Sequence, residues 1–560
     1  MANSLDRLTA AILQAPQDDS PRLQLADELA ASGDPRGEFI RVQIQLARGE
    51  PGEEEKADQL ARRERELLAR HEAEWVGPFG SYLLGWTFRR GFIEGVILEA
   101  ATFVERAEEI VRALPVEYLG VLNAGAVIDE FAACPSLRSF RRLHFGIDDG
   151  DSEPLGDEGA AVLARSPHLS GLERLTLAME QIGGEGLCAL AGAPWLRSLR
   201  QLGLTQNEVG DDALSSFFAE AALENLEVLK LDGAGAEDEA ITVLAGRSLG
   251  NLRVLELQNN IFGEAGLAAL AASTGLPRLN VLDLFGADLK TGSLKPLHDS
   301  PLLSRLARLR IHGNNKLDTS DLSGLLGSAS FPALEELELG SVKLGDEGAK
   351  MVARAPVLRQ LTHLGFTCSG LSGEGVKALV SSPHLTKLET LNLFSNKGTS
   401  AAAQAIAASS TLSGLRQLVL SNNQITDEGV EALAKSANLS RLRSLILRAN
   451  SLTIKGVKAL AESPVLGRLR SLDLGYQSLQ DDAARALASS KTLTNLQSLV
   501  LVSNKITGEG ARALASSPGL ANLAELDLRR NPIDAGAAAV LRSTFGHRVR
   551  LGGPVFQIHA

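Results

Sequence analysis

Leu442-Arg443-Ser444-Leu445-Ile446-Leu447 reads L-x-x-L-x-L, and the same reading returns 27 residues to either side, as Leu415-Arg416-Gln417-Leu418-Val419-Leu420 and Leu469-Arg470-Ser471-Leu472-Asp473-Leu474. Working outward, the pattern starts at 172, 199, 226, 252, 279, 306, 334, 361, 388, 415, 442, 469, 496 and 523. Of the thirteen intervals, eleven are 27 residues, one is 26 and one is 28. A phase held this long is the mark of a repeat architecture. Two looser units precede it. Phe140-x-x-Leu143-x-Phe145 is followed by a small acidic insertion near Asp148–Glu153, and Val116-x-x-Leu119-x-Val121 is more degenerate.

Each unit joins two periods. L-x-L alternates, as a short strand does. Three residues on, Asn recurs (Asn207, Asn260, Asn314, Asn396, Asn423, Asn450, Asn504 and Asn531), where an amide can satisfy backbone groups leaving the strand. A helical stretch follows, such as Ile425–Ala434, with Val430, Leu433 and Ala434 as its apolar stripe and Thr426 or Asp427 as cap. Gly429 recurs in phase as Gly186, Gly266, Gly348, Gly375, Gly456 and Gly510, which predicts close packing there. Ser-Pro and Ala-Pro pairs (Ser166-Pro167, Ala193-Pro194, Ser382-Pro383, Ser463-Pro464, Ser517-Pro518) stop the helices. Such a unit buries its apolar face only against its neighbours. The expectation is an α/β solenoid with parallel strands on one face and helices on the other. It should be curved with the strands concave, because strands pack about 4.8 Å apart and helices about 8–10 Å.

L-x-x-L-x-L-x-x-N followed by a helix resembles the leucine-rich repeats of the ribonuclease-inhibitor-like subclass over residues 137–545. That resemblance implies a protein-binding surface. Residues 1–48 show no repeat. Leu5, Leu8, Ile12 and Leu13 form one helical face, and Leu23, Leu25, Ala26 and Leu29 another. Asp19, Pro21, Arg22, Leu23, Ala26, Asp27, Leu29, Gly33, Asp34, Gly37, Glu38, Phe39, Ile40 and Gln43 resemble the bacterial repeat-companion domain. Glu28 stands where that family usually has Trp. The expected organisation is a small all-helical module at 1–48, a charged helical linker at 49–76, an N-terminal cap with a degenerate first repeat at 77–136, repeats at 137–545, and a C-terminal cap and tail at 546–560. The linker's mixed charges suit a solvated helix or a partner-binding one. The aromatics Trp75, Phe79, Tyr82, Trp86, Phe88 and Phe92 fit a cap over the raw end of the core, or an aromatic ligand pocket.

Composition narrows the classes of function. The 56 Lys+Arg against 68 Asp+Glu give a net charge of −12, which argues against nucleic acid as a partner. No apolar run reaches the ~18–20 residues of a membrane span, and no leader pattern opens the chain, so the expected compartment is the reducing cytoplasm of a bacterium. The three cysteines (Cys134, Cys188, Cys368) make neither a disulfide framework nor a metal motif, and Cys188 and Cys368 are expected to be buried. No nucleophile elbow, phosphate loop or zinc motif is present. His312 and His363, two units apart, are too distant to share a metal. No enzyme activity, cofactor or metal is expected.

The residues flanking the inward leucines point off the strand wall. Among them, Arg308 is expected to face Glu336, and Arg310 to sit between Asp283 and Glu338. Phe394, Val419, Ile446, Val500 and Val502 form an apolar patch, either a binding surface or plain strand preference. The candidate protein-binding residues are Phe285, Arg308, Arg310, His312, Phe394, Val419, Ile446, Arg448, Val500 and Val502. The leading expectation is a non-enzymatic scaffold that binds an unknown partner protein, with a monomer favoured. The alternatives are a regulator acting in trans on an enzyme such as a small GTPase, or an assembly protein.

Overall fold

The computed structural model describes residues 2–49, 54–146, 153–327, 331–521 and 523–552. Residues 148–152 of the acidic insertion, 50–53 of the linker and 553–560 of the tail lie outside them. The chain divides into two compact units, residues 1–255 with 274–277 and residues 256–273 with 278–555.

In the first unit four helices precede the strands: α1 (Ala2–Gln14), α2 (Asp19–Ala31), α3 (Pro35–Arg48) and α4 (Glu54–Val76). Asp18 caps α2 by accepting from Ser20 N, and Asp34 caps α3 by accepting from Arg36 N, with Pro35 in its first turn. Strands β1 (Gly85–Arg89) and β2 (Phe92–Glu99) form an antiparallel hairpin. Its turn places Arg90 at φ +50° and Gly91 at φ +88°, the left-handed pair a tight hairpin requires. Helix α5 (Ala100–Ala113) follows. Then β2 pairs in parallel with β3 (Tyr118–Leu122), and the parallel ladder continues through β4 (Arg142–Phe145), β5 (Arg174–Leu177), β6 (Gln201–Gly203) and β7 (Val228–Lys230).

The helices pack on the hairpin through an apolar core and a buried polar cluster. Leu8, Ile12, Leu25, Ala26, Ile40 and Ile44 share a core with Phe92. Phe39 stacks on Trp75 at 4.6 Å and meets Phe88 edge-on at 5.5 Å, so these aromatics fill the join. Helix α4 packs on α3 through Leu67 and Trp75. Gly37 lets α3 approach α2 closely, since a Cβ there would fall 2.6 Å from Ala26 O. At the centre Arg22 is fully buried. It pairs with Glu94 at 2.8 Å and donates to Arg90 O and Pro16 O, while Arg90 pairs with the same Glu94 at 3.0 Å. Gln43 accepts from Gly91 N and donates to Phe88 O. Burial pushes Arg22 down to about 10 and raises Glu94, while each carboxylate–guanidinium contact opposes that.

After β8 (Val254–Glu256), the second unit carries β9 (Val281–Asp283), β10 (Arg308–Arg310), β11 (Glu336–Glu338), β12 (His363–Gly365), β13 (Thr390–Asn392), β14 (Gln417–Val419), β15 (Ser444–Ile446), β16 (Ser471–Asp473), β17 (Ser498–Val500), β18 (Glu525–Asp527) and β19 (Val549–Arg550). From β9 to β19 every successive pair is parallel, with the central leucines directly in register from Leu282 to Leu526. Those leucines are 0% exposed, and each contributes about 1.5–3 kcal/mol relative to an exposed one.

Polar side chains bind coil to coil, each in one direction. Asn450 reaches back one coil: its Oδ1 accepts from Asn423 N and Ile425 N, and its Nδ2 donates to Leu420 O. Asn207, Asn314, Asn396 and Asn504 make the same reach, and Gln477 replaces the amide with a longer one. Ser463 Oγ also reaches back, to Ala434 O at 2.6 Å. Asp427 reaches forward. It leaves its own helix uncapped and accepts from Thr453 N and Gly456 N of the next coil, both at 2.9 Å. Asp157, Asp211, Asp346 and Asp481 do likewise, so the aspartate read as a cap for its own helix caps the following one. The phased glycines make room for it: a Cβ at Gly456 would fall 2.5 Å from Asp427 Oδ1.

Candidate functional site

The outward positions of the second unit form columns fixed by strand register. Arg308 lies beside Glu336, and Arg310 beside Asp283 and Glu338. Of the expected pairs, Arg308–Glu336 and Arg310–Asp283 form, and Arg310–Glu338 does not. Arg310 takes Asp283 at 3.2 Å and Glu336 at 2.6 Å, and Arg308 takes the other oxygen of Glu336 at 3.5 Å. Glu338 is therefore not the partner of Arg310. Its carboxyl lies across the wall over Gly365, where a Cβ would collide with it, and burial together with neighbouring Glu336 pushes it up to about 7. Asp283 is wholly buried, and accepts also from Gln258 Nε2 at 2.8 Å and Phe285 N at 3.0 Å. Beside this cluster the rings of Phe285 and His312 meet at 4.5 Å, and burial lowers the His312 pKa.

Farther along, Phe394 is 40% exposed and Val419 and Ile446 are adjacent in register on β14 and β15, both half-buried. Asp473 stands between Ile446 and Val500. It binds Arg448 at 3.0 Å, and the Arg448 guanidinium lies 5.4 Å from the ring of exposed Tyr476. Val502 leaves the patch. It is only 4% exposed, a short side chain at the strand exit, flanked in its column by Arg529, which folds back onto Asp527 at 2.6 Å. The two cysteines expected inside are exposed. Cys188 lies between Leu187 and Leu190, which carry its helix's inward stripe, and Cys368 sits at φ +52° in the exit turn.

Two further features were missed at the sequence level. The coil of β9 has only a short 3-10 turn, Lys295–Leu297, where its neighbours have α-helices. A cleft of about 440 Å³ opens there, lined by Ile261, Asp288, Lys290 and Lys295. The second feature is a row of residues just before each strand, whose backbones are hydrogen-bonded from coil to coil. In the first unit it runs Glu117, Arg141, Glu173, Arg200, Glu227, Arg253. The charges alternate, and Arg141 pairs with Glu117 and Glu173, Arg200 with Glu227. In the second unit the same row runs Glu335, Thr362, Glu389, Arg416, Arg443, Arg470, Gln497, Ala524. Three arginines stand side by side, and exposed Arg441 and Arg468 lie two residues before the last two. The signal for it was present as Arg-Leu-Arg at 441–443 and again at 468–470, one period apart.

Among the described residues no helix is long and apolar enough to cross a membrane, and no group of three or more His, Cys, Asp or Glu is placed to hold a metal.

A family profile described as Leucine Rich repeat matches residues 414–434 and 492–515. The matched stretches fall on the coils of β14 and β17, and the strand-and-helix coils above have the plan of a leucine-rich-repeat solenoid. Among solved structures it is similar to an internalin from Listeria monocytogenes (21% identity, 71% of this chain and 95% of that one, TM-score 0.36). It is also similar to a leucine-rich-repeat protein of Leptospira interrogans (20%, 73% and 97%, TM-score 0.35) and to a chain of the yeast Rad7–Elc1 complex (16%, 81% and 88%, TM-score 0.37). At these scores the likeness is loose. A search of curated protein sequences gives no significant match.

Proposed function

We propose that the chain is a non-catalytic scaffold of the bacterial cytoplasm that binds a partner protein on the strand face of its second unit. The observation that carries this reading is the apolar strip of Phe394, Val419 and Ile446 on a wall of mostly polar residues, bordered by the Arg448–Asp473 pair. An aromatic anchor with aliphatic neighbours and a charged rim is the composition of an energetic centre in protein interfaces. Of the predicted site residues, Phe285, Arg308, Arg310, His312 and Val500 would form the surrounding contact area. The regular 27-residue coil with an α-helix supports placement in the ribonuclease-inhibitor-like subclass. The concentration of Arg22, Gly37, Phe39, Ile40 and Gln43 at the join with the hairpin supports reading α1–α3 as a repeat-companion module whose pattern encodes docking to the repeats.

The test is comparative affinity capture from native cells with the full chain and a Phe394→Glu/Ile446→Glu variant. Proteins held by the wild type and lost by the variant support the face. Equal recovery of every one removes it.

A further inference from the structure

In the first unit, β4 and β5 bring two arginines side by side on the outward side of the strand wall. Arg142 and Arg174 are direct partners in the parallel register, at the strand spacing of about 4.8 Å. Like charges directly opposite one another across a sheet destabilise it. Arg89, exposed at the end of β1, is a third cation near enough to act on Arg142. Burial, then the Arg89 charge, lowers the Arg142 pKa, and Arg174 acts in the same sense. Among the described residues, no carboxylate lies within ion-pair distance of any of the three. Glu117 and Glu94 act on Arg142 only from farther off, and both are held elsewhere. Glu117 pairs with Arg141 and accepts from Gln17, and Glu94 pairs with Arg22 and Arg90. On its other side Arg142 meets Tyr118, whose ring lies 5.8 Å from the guanidinium. Burial pushes the Tyr118 hydroxyl up to about 12, so it keeps its proton and brings no charge. The matching column of the second unit avoids the conflict, since Arg308 stands opposite Glu336 at 3.5 Å. An uncompensated cation cluster, on a chain whose net charge is −12, marks a surface kept for an anion.

We propose that Arg89, Arg142 and Arg174 form a binding site, on the strand wall of the first unit, for a phosphorylated side chain of a partner protein. The proposal rests on the protein-binding reading above and adds a contact that does not involve the apolar strip. Charge selects the group. A phosphate monoester carries about −1.5 to −2 at pH 7 and three acceptor oxygens. It answers three guanidiniums, where the single charge of a carboxylate leaves two unanswered. The planar forks of Arg142 and Arg174, one strand apart, suit two oxygens of one tetrahedral group. Arg89 and Arg174 are exposed, so a free phosphate on this open wall keeps much of its water. A peptide that carries the group also meets the half-buried polar neighbours Thr176 and Gln201. Nucleic acid is disfavoured because its longer run of charge meets the field of a net-negative chain.

The probe is a fluorescent Gly/Ser peptide of about eight residues with one phosphoserine, titrated with the full chain by anisotropy at about 50 mM salt. Its counterpart has Glu in place of the phosphoserine. Saturable binding of the phosphopeptide, about tenfold or more tighter than the Glu peptide, is the expected result. Arg174→Glu should weaken it by about tenfold or more, because the new carboxylate occupies Arg142. The same change replaces a like-charge pair by an opposite one, so the thermal midpoint should not fall, which separates lost binding from lost folding. Arg142→Ala should weaken binding as much, whereas Arg200→Ala, whose guanidinium pairs with Glu227, should leave it within about twofold. Four results would each overturn the proposal: no saturation up to about 1 mM peptide, equal binding of the Glu peptide, unchanged binding in Arg174→Glu, or displacement by inorganic phosphate or a short single-stranded oligonucleotide at no higher a concentration than the peptide itself needs. None of these results touches the Phe394→Glu/Ile446→Glu comparison, which reads the second unit.

Discussion

The two units order charge differently along the same row of residues. In the first, Arg141 lies between Glu117 and Glu173, Arg200 lies between Glu173 and Glu227, and the buried Arg22 and Arg90 share Glu94. Each of these cations is matched within the chain, and the matching of Arg22 and Arg90 holds a helical module onto a hairpin. In the second, Arg416, Arg443 and Arg470 repeat without alternation, and Glu338 is half-buried beside another acid while the nearby guanidinium goes elsewhere. The backbone is the same in both rows. A coil position thus sets where a charge stands, and its neighbours in the stack decide which groups lie within its reach.

The strongest way to break this contrast is to remove the shared acid of the first unit. Glu94→Ala leaves two guanidiniums buried without it, and is expected to cost about 3–5 kcal/mol, read as a lower urea midpoint. A neutral coil-to-coil bond should cost less than the buried charge. Asn450→Ala is expected to lose about 2–3 kcal/mol, because Leu420 O, Asn423 N and Ile425 N lose a common partner. Hydrogen exchange should show the loss at residues 420–425 first.

Glu338 tests the second unit through pH. Its folded-state pKa, about 7, lies above the ordinary carboxyl value of 4.5. The folded chain therefore binds the proton more tightly than the unfolded chain between those values. Its contribution is fully present below about pH 4.5 and is lost as pH rises through about 7. Glu338→Gln should raise the thermal midpoint more at pH 8 than at pH 5, and a pH-independent difference would remove the assignment. The smallest effects sharpen the contrast most directly. Arg200→Glu creates three successive acids in the first unit and should destabilise by about 0.2–1 kcal/mol, read as a lower thermal midpoint. An unchanged midpoint would remove the alternating row as a contributor to stability.

The repeat period, the inward leucines and the amide after each strand were legible in the sequence because they depend only on position within one coil. The partners of long side chains were not. Arg310 was expected to meet Glu338 and instead takes Glu336, since a guanidinium at a 4.8 Å lateral spacing can reach a carboxylate diagonally as easily as across. Thr426 or Asp427 was expected to cap the helix that starts there, and Asp427 caps the next one, because the phased glycine opens that path. Val502 was counted by its column, whereas at the strand exit its short side chain is buried. The arginine row escaped notice because it precedes the strand and belongs to no outward column.

The opposite reach of Asn and Asp has a consequence for how such a chain can change in length. No coil is a closed object. Many coils carry an amide that reaches back, as Asn450 does, and several carry an aspartate that reaches forward, as Asp427 does. Removing or duplicating a whole period keeps these groups in phase with the backbone they bind. A cut at any other phase orphans one set of each. Growth and shrinkage of this array are therefore quantised in steps of one coil, and the surface decoration, charge rows included, can be lengthened or shortened without redesigning the core beneath it.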